Sequence, residues 1–122
     1  MTISGAIAAA TAMTGQVVDN ETMLRWLSEL DGKISFEVFG ADAWETYTNG
    51  DMNDELVVDF PWDGFYVHYL EAMIYYTSGE YDRYENAKTM FEKNFWEFRH
   101  YLRRTHPELR PCKEVFAWPL TT

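Results

Sequence analysis

The segment covering residues 61–98 constrains the fold more than any other part of the chain. It reads PWDGFYVHYLEAMIYYTSGEYDRYENAKTMFEKNFWEF, two aromatic-rich amphipathic stretches separated by a turn at Gly79. Aromatic rings bury a large area for each residue, and here they recur with the period of a helix. The segment therefore predicts a helical hairpin that forms the core of the protein.

Within this hairpin we expect a third helix over residues 61–77 and a fourth from about residue 80 to 105. Pro61 suits the first helical turn, Asp59 can cap it, and Pro107 stops the fourth helix. The predicted core face of the third helix carries Phe65, Tyr69, Met73 and Tyr76, widened by Tyr66, Leu70 and Ile74. That of the fourth carries Tyr84, Phe91, Phe95, Phe98 and Leu102, with Ala87 or Lys88 filling the gap.

Two further helices are predicted ahead of the hairpin. The first covers residues 3–13, with Thr2 or Ser4 as its N-cap residue. The second follows Asp19 or Asn20, and Gly32 within it permits a bend or a close approach by another helix. Its apolar face repeats at steps of three and four residues and comprises Met23, Leu27, Leu30, Ile34 and Val38.

The remaining segments show no helical period. Residues 41–60 are rich in turn-forming residues and form a long irregular loop, in which LVVDF is a candidate extended segment. The last sixteen residues contain three prolines around an apolar patch, so we expect this tail to fold back on its own domain or to dock on a neighbouring subunit. The predicted fold is all-α: a bundle of about four helices (1–106) followed by a Pro-rich extended C-terminal tail (107–122).

Charge is distributed unevenly along the chain, which has a net charge of −10. Residues 1–64 carry twelve acids and two bases, whereas residues 65–122 carry eight of each. One interpretation is an ordinary solvated surface; the other is an acidic face and a basic end that complement each other between copies in a head-to-tail ring. The acidic half disfavours binding to nucleic-acid phosphates, and we expect no sequence-specific nucleic-acid binding.

Two short motifs resemble metal sites without completing them. Glu97 and His100 match the Glu-x-x-His motif of ferritin-like bundles, and His68 and Glu71 match it only in reverse order. The acidic run beginning at Asp51 resembles a calcium loop but lacks the glycine that such loops need at their sixth position. We therefore expect no metal site.

Other catalytic or membrane-spanning features are also missing from the sequence. Cys112 is the single cysteine and has no deducible base partner, no glycine-rich phosphate loop is present, and no apolar run approaches the length of a membrane span. We expect a protein that is not an enzyme, holds no cofactor, does not bind a membrane and acts through contacts.

Three strings carry a resemblance to a known family. LRWLSELDGKI (24–34), ELVVDFPWDGFYVHYLEAMIYYTSGEYDRYENAKTMF (55–91) and FRHYLRRTHPE (98–108) resemble head–tail connector proteins (neck adaptor or head-completion proteins) of phages and prophages of Gram-positive bacteria. The resemblance covers about two thirds of the chain, residues 23–108. Gly64 and the Trp-bearing, Pro-rich tail depart from the family pattern.

The resemblance implies a ring of copies beneath the portal that adapts the portal to the tail or stopper protein and helps retain DNA. The protein would be made in the bacterial host cytoplasm and located in the virion neck. The alternative is a small acidic binding protein that mimics DNA and blocks a DNA-binding partner. The proposed interface residues lie in the loop, the basic end and the tail: Trp44, Tyr47, Asp51, Asp54, Arg103, Arg104, Arg110, Phe116 and Trp118.

Overall fold

The computed structural model describes residues 1–109, most of which belong to four α-helices. These are α1 (Ile3–Thr14), α2 (Asn20–Glu37), α3 (Phe65–Thr77) and α4 (Tyr81–Thr105). Short 3-10 turns cover Asn49–Asp51 and Pro107–Leu109. Over residues 1–109 no β-strand forms, and the candidate extended segment LVVDF (56–60) is irregular; one isolated bridge joins Thr2 to Glu55, the residue before it, and the N–H of Leu56 donates to the carbonyl of Met1 at 3.0 Å. The predicted all-α bundle is confirmed.

The first two helices begin at residues whose side chains cap them. The hydroxyl of Thr2 accepts a hydrogen bond from the N–H of Gly5 at 3.0 Å, and the carboxylate of Asp19 accepts one from Thr22 at 3.1 Å. Each bond satisfies a backbone donor that a helix start leaves unpaired. Gly15, at a φ of 68°, ends α1 in the left-handed conformation that glycine adopts without strain.

Helix α3 lies at the centre of the bundle and packs against α1, α2 and α4. It forms the predicted antiparallel hairpin with α4, and it runs parallel to α1. The N–H of Ile3 donates to the carbonyl of Asp54 at 3.0 Å, which places the start of α1 near the approach to α3. At the other end, the amide of Gln16 donates to Glu80 at 2.6 Å, next to the hairpin turn.

The central position of α3 is visible in its burial. Between Phe65 and Tyr75 every residue except His68 is buried. A helix that is apolar nearly all round is stable only where other elements cover it on several sides. In α4, by contrast, one stripe is buried, and Ala87 rather than Lys88 fills its gap. The buried residues of that stripe are Tyr84, Ala87, Phe91, Phe95, Phe98, Arg99 and Leu102.

The predicted start of α3 at Pro61 is wrong, because residues 61–64 form turns and the helix begins at Phe65. The N–H of Trp62 donates to the carbonyl of Asp59 at 2.9 Å, and no side chain caps α3. The indole of Trp62 stacks on Tyr101 of α4 with ring centroids 4.6 Å apart. This contact holds residues 61–64 against α4 as an irregular turn, where the sequence predicts the first turn of the helix.

The predicted burial of Tyr76 is also wrong, since 43% of this residue is exposed. Tyr76 lies in the last turn of α3, where its ring packs against Tyr81 and Tyr84 beside the hairpin turn. The rest of the predicted stripe on α3 is buried, as is the whole predicted stripe on α2. The division into a domain of residues 1–106 and a tail of 107–122 stays a prediction, because residues 110–122 lie outside the described range.

Phe95 provides a test of the aromatic core. Its ring is buried and packs edge-on against Phe65 at a centroid distance of 5.1 Å. We expect Phe95→Ala to lower the free energy of unfolding by about 3–5 kcal/mol, because it removes a ring and leaves a cavity. Met90→Ala, at a partly exposed position of the same helix, should cost less than about 1 kcal/mol. Equal losses in urea titrations of the two variants would contradict this packing.

Candidate functional site

Residues 41–48, here called the acidic strap, run back along the second half of α2. The N–H of Ala41 donates to the carbonyl of Ser35 at 2.9 Å, and the N–H of Tyr47 donates to the hydroxyl of Ser28 at 2.8 Å. Successive strap residues therefore lie beside successively earlier residues of α2. The strap is the part of the long loop that is laid directly on the helix.

Trp44 fills a recess that Gly32 creates on α2. A Cβ atom at Gly32 would lie 3.0 Å from Cδ1 of Trp44, closer than side-chain carbons normally approach. The indole also meets the ring of Tyr47 edge-on at a centroid distance of 5.2 Å. The close approach expected at Gly32 is thus made by the loop rather than by a helix. Trp44 packs against its own chain and is partly exposed, and its predicted contact with a partner stays a prediction.

A buried carboxylate joins the strap to the core. Asp31 is fully buried, and its two oxygens accept hydrogen bonds from Tyr47 Oη at 2.5 Å and Tyr66 Oη at 2.6 Å. The N–H of Val57 donates to the same carboxylate at 3.2 Å, and the N–H of Val58 donates to Tyr66 Oη at 2.9 Å. We call these groups the Asp31 hub. It connects α2, the strap, the end of the loop and α3.

Burial shifts the acid–base properties of the hub. It raises the pKa of the Asp31 carboxyl, although the bonds from Tyr47, Tyr66 and Val57 oppose the shift by stabilising the ionised form. Burial and the nearby Asp31 charge together raise the pKa of both tyrosines, so they stay protonated and donate. When Asp31 is ionised, its charge is therefore stabilised by hydrogen bonds from neutral donors.

The strap and the rest of the long loop are strongly acidic. Residues 41–60 contain six acids and no lysine or arginine. Asp42 and Glu45 are exposed and have no hydrogen-bond or ion-pair partner within residues 1–109. Asp51 instead caps the 3-10 turn by accepting from the N–H of Thr48 at 2.7 Å, and Asp54 is held through its backbone carbonyl, with its side chain exposed.

The opposite charge collects at the end of α4, in a surface we call the arginine end: Trp96, Arg99, Arg103 and Arg104. Arg103 lies over the ring of Trp96 at 5.7 Å, a cation–π distance, while 56% of Trp96 is exposed. Arg99 is only 7% exposed, and its Nη2 has no hydrogen-bond partner within the described chain. Burial and the charge of Arg103 lower the pKa of Arg99, whereas Glu37 raises it.

The structure thus places the predicted interface residues of the described range in three groups. Tyr47 and Trp44 seat the strap, Asp51 and Asp54 belong to the following loop, and Arg103 and Arg104 belong to the arginine end. Three predicted residues lie outside the described range: Arg110, Phe116 and Trp118.

Sequence reasoning missed Asp31, Asp42, Glu45 and Arg99 as site residues. Asp31 follows Leu27 by four positions, which places it on the buried side of α2, and a buried acid demands donors. Arg99 follows Phe95 by the same interval. Helical spacing therefore contained a signal for both of these residues.

The partial metal motifs do not converge. Nδ1 of His68 lies 2.8 Å from Glu71 Oε1, while Glu97 and His100 are both exposed on α4. Within residues 1–109, no three His, Cys, Asp or Glu side chains form a group that could hold a metal ion. The helices of this range are also too short or too polar to cross a bilayer.

A double-mutant cycle tests the seat of Trp44. In the Trp44→Ala background, we expect Gly32→Ala to raise the free energy of unfolding by up to about 1 kcal/mol, because alanine is the better helix former. With Trp44 present, the new methyl group meets the indole, and the same change should be less favourable by at least about 1 kcal/mol. Urea denaturation of the four proteins measures the coupling. Additive effects would show that the indole does not occupy this recess.

The Asp31 hub predicts a pH dependence of stability. Because the folded chain raises the pKa of Asp31, it binds a proton there more tightly than the unfolded chain does. The contribution of Asp31 to stability is therefore greatest at acidic pH and decreases as the pH rises through the raised pKa. The free energy of unfolding of the wild type relative to Asp31→Asn should increase as the pH is lowered from about 7 to about 4. A constant or decreasing difference in chemical denaturation would contradict the raised pKa.

Comparison with known proteins finds no relative of this chain. No family model, no curated protein and no solved structure matches it. Its function must therefore be inferred from its own residues and surfaces.

Proposed function

We propose that this protein is a subunit of a phage head–tail connector. Several copies form a ring that meets the portal on one side and a tail or stopper protein on the other, in the virion neck. The ring adapts one component to the next and helps to retain packaged DNA. This function needs no catalysis, and the work of the protein lies in holding a shape and making contacts.

The observation that carries the proposal is the pair of oppositely charged surfaces that residues 1–109 leave uncompensated. The acidic strap lies along α2, and the arginine end lies on the last turns of α4. No ion pair within residues 1–109 involves Arg99, Arg103 or Arg104. A head-to-tail ring needs two different surfaces that complement each other, because each copy uses both.

The seating of the strap supports a contact role. Binding by a mobile loop loses affinity to the entropy of ordering that loop, whereas a preorganised surface avoids this loss. Trp44 and the Asp31 hub hold the strap in place before any partner arrives. A loop that serves to bind partners would be expected to be held in place in this way.

The sequence resemblance supports the same function. The strings that resemble connector proteins include Asp31, Gly32 and Tyr66, the residues that receive Tyr47 and Trp44. They also include Arg99, Arg103 and Arg104. The similarity thus covers the arginine end and the helix positions on which the strap rests.

A second candidate function is the mimicry of DNA. Residues 34–82 contain eleven acids and no lysine or arginine, which favours a partner with a basic surface. Such a protein would displace DNA from a DNA-binding protein of the host and would need no portal. Competition between this protein and a DNA duplex for host DNA-binding proteins separates this function from the connector.

Electron microscopy with the portal protein of the same phage or prophage tests the connector. We expect added density at one face of the portal, with the rotational symmetry of a ring. Portal alone and an unrelated acidic protein of similar size are the controls. A strap-loosening variant, Trp44→Ala with Tyr47→Phe, should reduce the occupancy of the ring while the protein remains helical by circular dichroism. A portal without added density at high protein excess would contradict the proposal.

A further inference from the structure

We propose that the arginine end of one copy binds the acidic strap of a second copy, with Arg103 and Arg104 facing Asp42 and Glu45. The choice of a second copy as the occupant rests on the proposed connector function. The connector function alone does not specify which two surfaces of neighbouring copies meet. Within residues 1–109, neither surface has a partner of opposite charge.

The arginine end lacks its counter-charge. Arg99 is more than nine-tenths buried, yet its Nη2 finds no acceptor and no carboxylate lies within ion-pair distance in residues 1–109. Glu37 is near enough to affect its pKa without pairing with it. A guanidinium stays charged in proteins and its burial is unfavourable without an anion, so this surface favours an incoming carboxylate.

Arg103 adds geometry to the charge. Its guanidinium carbon lies 5.7 Å from the centroid of the Trp96 ring, and no ion pair within residues 1–109 involves it. A guanidinium edge matches a carboxylate, which can accept two parallel hydrogen bonds from it. Trp96 adds an exposed ring beside the arginines, and tryptophan is enriched at protein interfaces.

The strap offers matching groups in a fixed arrangement. Asp42 and Glu45 are exposed and unpaired within the described chain, on a segment anchored at both ends by hydrogen bonds to α2. The anchors and the indole of Trp44 face the helix. The carboxylates on the opposite side are therefore presented to a partner without further ordering of the backbone.

A second copy fits the arginine end better than nucleic acid does. Twelve acids in residues 1–64 would repel a phosphate backbone brought close to the bundle. Another copy, in contrast, brings an acidic strap and gains a partner for its own arginine end. One kind of contact then compensates both surfaces.

Charge reversal tests the contact in solution. Variant A carries Arg103→Glu and Arg104→Glu, and variant B carries Asp42→Lys and Glu45→Lys. Sedimentation velocity at low salt and high protein concentration measures self-association. We expect the wild type to associate, more weakly at high salt. Each variant alone should associate about 100-fold more weakly, because like charges then face each other.

Restoration provides the decisive comparison. Mixing A with B should recover association, since the acidic strap of A meets the arginines of B and the lysine strap of B meets the glutamates of A. The chain carrying all four substitutions should associate like the wild type. Arg83→Glu with Lys93→Glu is the control, because it changes the net charge as variant A does at exposed sites of α4 that belong to neither surface. This control should lower association much less than variant A.

Several outcomes would overturn the contact. They are a wild type that stays monomeric under these conditions, an unchanged association of variants A and B, or a failure of the mixture to recover. Loss of binding to a DNA duplex in variant A, with self-association intact, would assign the arginine end to phosphates instead. A ring of variant A on the portal would refute the contact and leave the connector function standing. Rescued self-association without any binding to the portal would support the contact and contradict the connector function.

Discussion

The buried carboxylate of Asp31 is the interaction on which the surface of this protein depends. An ionised group can remain inside a protein only when donors surround it, and here the donors come from the strap, the end of the loop and α3. Satisfying one charge therefore determines where some twenty residues of irregular chain are placed. Gly32, one residue later, provides the recess for Trp44. Two adjacent residues of α2 thus position a loop that has no regular structure beyond a single 3-10 turn.

The aromatic residues divide into two sets with different roles. Those of α3 and α4 pack ring against ring around Phe65 and make the hairpin a rigid support. Those of the loop and its surroundings, Trp44, Tyr47 and Trp62, attach irregular segments to that support. The tyrosines of the hub combine both properties, since their rings pack while their hydroxyls satisfy Asp31. A small domain can thereby present a long loop in a fixed position, as a contact-making protein requires.

Helical periodicity predicted most of the fold because the apolar residues of α2 and α4 recur every three or four residues, about once per turn of a helix. The two caps at Thr2 and Asp19 follow from local chemistry in the same way. The errors occurred where a distant contact outweighed a local preference. Pro61 suits a helix start, but the stacking of Trp62 on Tyr101 holds that segment as a turn. Of the candidate site, composition predicted an acidic loop and a basic helix end, but it contained no signal that Trp44 packs into the recess at Gly32.

The sequence by itself determined the number of helices, their faces and the separation of charge along the chain. These properties depend on the identity and spacing of residues close in sequence, which is the information that a linear pattern contains. Only the tertiary structure decided that the loop lies on α2, that Asp31 is its anchor and that Arg99 is buried with no counter-charge among residues 1–109. Those features arise from contacts between different segments of the chain, such as those of Asp31 with Tyr47 and Tyr66, which lie 16 and 35 positions away, and from the space left between helices. No local rule specifies which distant donor a buried charge will find, so the site becomes visible only when the chain is folded.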